Sequence, residues 1–199
     1  MTKSPAKPPT DRRSLRTRSA LHLALIELIA ERGWDDVAVQ DICQAANIGR
    51  STFYLHYPNK EALLEGGLAG LQAELQRQAR ARSTGASPAT GAPPGLQFAL
   101  GLIEHAHEQR KLFRGLIGRR SGYVVQQRFR EMVIRLIAAE LPATTGSLPR
   151  GAVVRWLAGA FVELLSWWVE QRTPMPPTEL ASLFNQLSCS ALPPDRKGA

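Results

Sequence analysis

The turn Asn47-Ile48-Gly49, with the two short helical patterns it joins, constrains this chain more than any other stretch. Asn and Gly tolerate left-handed backbone best, so they suit a sharp corner, and Ile48 plugs the joint between the helices. Ahead of the corner, Val39 to Ala46 sets Ile42, Cys43 and Ala46 inward at helical spacing. Behind it, a helix from about Arg50 to His56 offers Phe53 as an inward anchor and otherwise small polar, basic and aromatic side chains. A helix without a complete apolar face belongs at a surface. Two such helices meeting at a tight turn are the sequence form of a helix-turn-helix, whose second helix reads the major groove of DNA.

The residue types fit that task. Arg50 has the fork that pairs with guanine O6 and N7, Ser51 and Thr52 carry hydroxyls for phosphate or base, and Tyr54 adds an aromatic edge with a polar tip. Pro58 disfavours helical geometry at Tyr57, and Asn59 is placed to cap the next helix. Tyr57 and Lys60 therefore meet a helix N-terminus, where free N–H groups and the positive end of the dipole suit a phosphate. A formal net charge of +8 favours a polyanionic partner, although basic balance alone fits a membrane surface equally well.

Elsewhere the pattern is helical. A helix capped by Thr10 or Asp11 carries Leu21, Ala24, Leu25, Leu28 and Ile29 on one stripe and closes at Gly33. The helix after Asn59 keeps the row Leu64, Leu68, Leu71, Leu75 and extends to about Arg80. Leu96 to Glu108, Lys111 to Ile117, Val124 to Leu141, Pro149 to Gln171 and Thr178 to Ser190 continue the series. No sustained alternation of period two is present, so the expectation is an all-α chain of about nine helices. The Lys- and Pro-rich stretch 1–9 reads as a disordered basic arm, 10–58 as the helix-turn-helix domain and 59–82 as a connecting helix. Residues 83–95, rich in Gly, Pro, Ser and Thr, read as a flexible loop, and 192–199 as a disordered tail.

Several function classes fall away. The longest apolar stretch, Gly151 to Val169, is broken by Arg155 and Glu163, and Met1 to Arg18 has no signal-peptide core, so the expected location is cytoplasmic with no membrane partner. Cys43 and Cys189 lie in different helices far apart, which argues against a disulfide framework. His105 and His107, two apart on a helix, point in different directions, and His22 and His56 complete no ligand spacing, so no metal or cofactor is expected. Glu104 and Glu108 share a face but lack a nucleophile or oxyanion device, so the chain is not read as an enzyme. Arg110, Lys111, Arg114, Arg119 and Arg120 form a basic run, read either as a solvated helix face or as a surface for an anionic effector or a second nucleic-acid contact.

The block Gly49-Arg-Ser-Thr-Phe-Tyr-Leu-His-Tyr-Pro-Asn-Lys-Glu-Ala-Leu-Leu64, after Val39-Gln-Asp-Ile-Cys-Gln-Ala-Ala-Asn-Ile48, resembles the DNA-binding signature of TetR-family bacterial transcriptional regulators. The likeness reaches back to Ala-Glu-Arg-Gly-Trp34 and covers about residues 12 to 65. It implies that Gln40, Arg50, Ser51, Thr52, Tyr54, Leu55 and His56 face a double-stranded DNA operator, with Tyr57 and Lys60 on backbone phosphates. Two positions depart from the family pattern: Ala38 stands where a capping Thr is usual, at a cost of about 1 kcal/mol, and Cys43 stands where Ala is common. Cys43 is expected to be a small buried residue with an inert thiol.

Past residue 65 the resemblance is to the family's general plan, which implies an effector-binding and dimerisation domain over 96–191. Phe98, Leu102, His105, Phe113, Tyr123, Phe129, Met132 and Trp156 are the candidates to line an effector cavity. Val153, Val154, Leu157, Phe161, Leu164, Leu165 and Trp168 make a wide apolar face, with Gly159 and Ala160 allowing close approach. Its outer part, taken as Val154, Phe161, Leu165 and Trp168 with Phe184 and Leu187 of the last helix, is the expected homodimer interface. Two functions stay open: a homodimeric repressor on a pseudo-palindromic operator, released by a small-molecule effector, and a DNA-binding architectural protein that recruits a protein partner through residues 96 to 190. A closed apolar cavity of a few hundred Å³ in the regulatory half would favour the first, and a solid core the second.

Overall fold

A computed structural model describes residues 9–83, 96–117, 122–143, 148–172 and 174–191. The expected loop within 84–95, the arm within 1–8 and the tail 192–199 lie outside the described residues; Pro9 and Ser83 are helix ends. The described residues form nine helices and no strand: α1 (Pro9–Arg32), α2 (Val39–Ala45), α3 (Arg50–His56), α4 (Lys60–Ser83), α5 (Gln97–Glu108), α6 (Arg110–Ile117), α7 (Gly122–Glu140), α8 (Arg150–Glu170) and α9 (Pro177–Ala191). The periodicity placed their ends to within a residue or two, except that α4 runs three residues beyond the expected Arg80.

Local chemistry explains most of the boundaries. Gly33 takes φ +88° and its N–H donates to the Ile29 carbonyl at 2.9 Å, which ends α1. Ala38 offers no side-chain cap to α2, yet the Asp41 carboxylate accepts the Ala38 N–H at 2.9 Å, so half of a capping box survives the missing hydroxyl. The corner needs only one left-handed residue, Asn47 at φ +53°. Gly49 sits at φ −66° in extended backbone, against the expectation that both would be left-handed. Asn59 caps α4 as expected, its Oδ1 accepting the Ala62 N–H at 2.8 Å.

Other boundaries are set from a distance. Glu140, at the end of α7, accepts the N–H groups of Gln97 and Phe98 and so caps α5, while Asn185 of α9 accepts the Leu96 N–H at 3.1 Å. Burial pushes the Glu140 carboxyl above its ordinary pKa, and the two backbone bonds pull it back. Arg150 reaches back to the carbonyls of Ala138, Leu141 and Pro142, which satisfies the last turn of α7. Arg110 donates to the carbonyls of Val169 and Gln171, and Arg114 to that of Glu170. These two arginines therefore cap α8, which removes them from the anionic-effector reading of the basic run; Arg119 and Arg120 lie outside the described residues.

One apolar core runs without a break from Leu21 and Phe53 in the headpiece to Trp168 and Phe184. α6 lies against α1 and comes very near it at Gly115, where an added Cβ would fall 2.3 Å from the Ala30 Cβ. Arg128 pairs with Glu65 at 3.1 Å and Arg135 bonds Gln72 at 2.9 Å, which ties α7 to α4. Among the described residues α8 alone is long and apolar enough to cross a membrane, with a mean hydropathy of 1.4. Here it is a core helix: Val153, Leu157, Phe161, Leu165 and Trp168 are buried against the neighbouring helices, and Arg155 and Glu163 lie on its exposed side.

Candidate nucleic-acid interface

α3 is held by one side chain. Phe53 is fully buried and meets Tyr54 edge-on at 5.3 Å between centroids, with Tyr57 packed at 6.2 Å. Fixing that residue inward turns Arg50, Ser51, Tyr54 and Leu55 outward, the last with 83% of its surface exposed. Gln40 of α2 is exposed as well, while Thr52 and His56 are half-buried at the flanks. An 83% exposed leucine on a seven-residue helix has no intramolecular role. Cys43 packs behind the turn; burial pushes its thiol pKa up while the Arg50 charge draws it down, which agrees with an inert buried sulfur.

The two residues assigned to phosphate have internal partners. Tyr57 is almost buried, and its hydroxyl shares a 3.1 Å hydrogen bond with His22 Nε2 of α1. Lys60 donates to the carbonyls of Trp34 and Val37, both at 2.9 Å, and its Nζ lies 4.5 Å from the centre of the Trp34 ring. Lysine has three N–H donors, so one remains for an outside acceptor. Lys60 thus staples the start of α4 to the corner between α1 and α2. The Lys60→Met variant is expected to lose about 1 to 3 kcal/mol of stability without any DNA present, because two carbonyls lose their charged donor. Thermal denaturation of the free protein measures this, and wild-type stability would leave Lys60 to DNA alone.

His22 is the residue that sequence reading missed. It lies 35 positions from Tyr57, and no local pattern announces such a pairing. A signal was present in Gly66-Gly67, a pair that is unfavourable inside a helix. Added Cβ atoms there would approach Tyr57 Cε1 to 3.0 Å and the His22 ring to 3.1 Å, so both glycines make room for the pair.

The regulatory half departs from expectation in two places. Phe98, Leu102, Phe129 and Met132 are fully buried in the apolar core. Tyr123 is 78% exposed and Trp156 52% exposed, so neither can line an internal cavity. Space opens elsewhere, in a cavity of about 370 Å³ between α1, α4, α5 and α6, which His105 and Phe113 do line. The second correction concerns the expected dimer face. Val154, Phe161, Leu165, Trp168 and Phe184 are buried within the chain, Trp168 donating its indole N–H to the Met175 carbonyl at 2.8 Å. The outward face of α8 lies one step round the helix, at Trp156, Ala160, Leu164 and Trp167. With Leu187 and the edge of Phe184 they form an apolar groove of about 420 Å³.

An exposed helix-turn-helix on a helical body is the architecture of helix-turn-helix DNA-binding proteins. Residues 23–66 match the model of bacterial regulatory proteins of the tetR family, and residues 96–189 match that of a transcriptional regulator C-terminal region. The chain belongs to the TetR family of transcriptional regulators.

Among relatives, an uncharacterized HTH-type transcriptional regulator, YxbF, of Bacillus subtilis (strain 168) is 46% identical over 56 residues. That match spans 28% of this chain and 15% of the relative. A TetR transcriptional regulator from Streptococcus agalactiae 2603V superposes with a TM-score of 0.62 at 25% identity, covering 90% of this chain and 97% of the other. NalD of Pseudomonas aeruginosa, the secondary repressor of the MexAB-OprM multidrug efflux pump, gives 0.62 at 19% identity, covering 93% and 100%, a likeness of fold.

Proposed function

We propose that this protein is a cytoplasmic homodimeric repressor that binds a pseudo-palindromic DNA operator and is released by a small-molecule effector. The observation that carries the reading is the outward face of α3, where Arg50, Ser51, Tyr54 and Leu55 have no packing role behind a fully buried Phe53. On this reading 10–58 is the DNA-reading unit, 59–82 the connector and 96–191 the regulatory and dimerisation unit. NalD, a repressor of the same fold, supports the sign of regulation. The cavity of about 370 Å³ supplies room for an effector, although it opens at the seam with the headpiece and is not enclosed within the regulatory half.

Selection of duplexes from a random pool is expected to return two inverted half-sites about one helical turn, roughly 34 Å, apart. Arg50→Ala should then lose roughly 1 to 3 kcal/mol of discrimination at one base pair; an equal loss on every sequence would move Arg50 to phosphate. The apolar groove on α8 and α9 supplies the surface for a second copy, with Trp156 and Trp167 as anchors. Light scattering should report twice the 21.8 kDa chain mass. Trp167→Glu should return it to the monomer value, and a monomeric wild type at micromolar concentration would remove the dimer from the reading.

A further inference from the structure

The cavity between α1, α4, α5 and α6 lies at the seam between the headpiece and the regulatory half. Leu23 and Ile26 of α1, Leu71 of α4 and Leu112 of α6 form apolar walls. Its polar groups are Ser19, His22, His105 and Gln109, and among the described residues no Lys, Arg, Asp or Glu lines it. Ser19, Leu23 and Gln109 stay exposed at its mouth, and a charged guest would find no countercharge on its walls. Burial lowers the pKa of both histidines and favours their neutral forms, so the lining itself brings little charge.

The two histidines differ in availability. His22 has its Nε2 occupied by Tyr57 and presents its ring as wall. His105 stacks edge-on against Phe113 at 5.6 Å, and among the described residues no hydrogen bond engages its ring nitrogens. A half-buried imidazole facing an apolar cavity offers one directional bond, with the Gln109 side chain beside it.

The geometry points to this cavity as the binding site for an uncharged small molecule with an apolar body and a single hydrogen-bonding group, received by His105 and Gln109. The assignment rests on the effector reading above and gives it a place and a ligand class. Ile26 and Ala30 are one turn apart on α1, and Leu112 and Leu116 flank Gly115 on α6. A guest between these residues sits one turn from the Ala30–Gly115 contact and wedges α1 from α6. α1 carries the packing of the helix-turn-helix, so the seam is where occupancy changes how the headpiece is seated.

The probe for the test is N-phenyl-1-naphthylamine, an uncharged fluorescent molecule with two aromatic groups and one N–H. Titrated into the full-length protein, it should give a saturable rise in fluorescence. Leu112→Trp, which fills the cavity from α6, should weaken its Kd at least about tenfold, and His105→Phe, which keeps the wall but removes the polar group, about three- to tenfold. Circular dichroism melts check that each variant folds, and Leu71→Phe replaces Leu112→Trp if that variant does not. Absence of saturable binding, or an unchanged Kd in the folded filled variant, overturns the assignment. Duplex selection without the probe tests the repressor reading separately: DNA binding without probe binding sinks the site alone, and probe binding without DNA binding sinks the repressor reading alone.

Discussion

Phe53→Ala is expected to abolish DNA binding although Phe53 touches no DNA. The side chain is fully buried beneath α3, and removing a buried phenyl ring costs about 3 to 5 kcal/mol through lost burial and the cavity left behind. α3 is seven residues long, far too short to persist by itself, so its geometry depends on that anchor and on the Asn47 corner. Denaturant unfolding should show the loss directly, with operator affinity falling beyond detection in the same variant. Phe53→Leu keeps part of the apolar volume and should fall between the two. Wild-type stability in Phe53→Ala would mean that the turn alone holds the reading helix.

Gly115→Val should be the most damaging change outside the headpiece. An added Cβ would sit 2.3 Å from the Ala30 Cβ and 2.4 Å from the Ala30 Cα, whereas carbon atoms rest at about 3.5 to 4 Å. One of the obstructing atoms is backbone, so no rotamer change relieves the clash and α6 must move off α1. The cost is placed at about 3 kcal/mol or more, at or beyond the upper end of ordinary overpacking. Ala30→Gly should rescue it only in part, because the Cα remains in the way. Calorimetry of the single and double variants checks both statements, and a melting temperature equal to wild type in Gly115→Val would refute the close approach.

Among the particular residues, those whose roles are local were legible in advance. The Phe53 anchor, the Asn59 cap, the Gly33 stop and the left-handed Asn47 all follow from side-chain chemistry within four positions of the feature they create. The corrections concern partners remote in sequence. Glu140 and Asn185 cap α5 from 43 and 89 positions away, His22 holds Tyr57 across 35, and Lys60 spends two donors on carbonyls in the corner between α1 and α2. A wide apolar helix such as α8 shows from its spacing that much of it is buried, yet not which side meets its own chain and which stays open.

The amino-acid sequence by itself determined the all-helical class, the locally capped helix ends such as Gly33 and Asn59, and the outward chemistry of α3, because helical period, caps and turn residues act over one or two turns. Tertiary structure alone decided that Trp156 and Trp167 face outward while Trp168 is core. It also decided that Lys60 is a staple and that a cavity opens at the α1–α6 seam. Those outcomes depend on how nine helices divide a limited apolar surface among themselves, and such a division is a property of the packed whole.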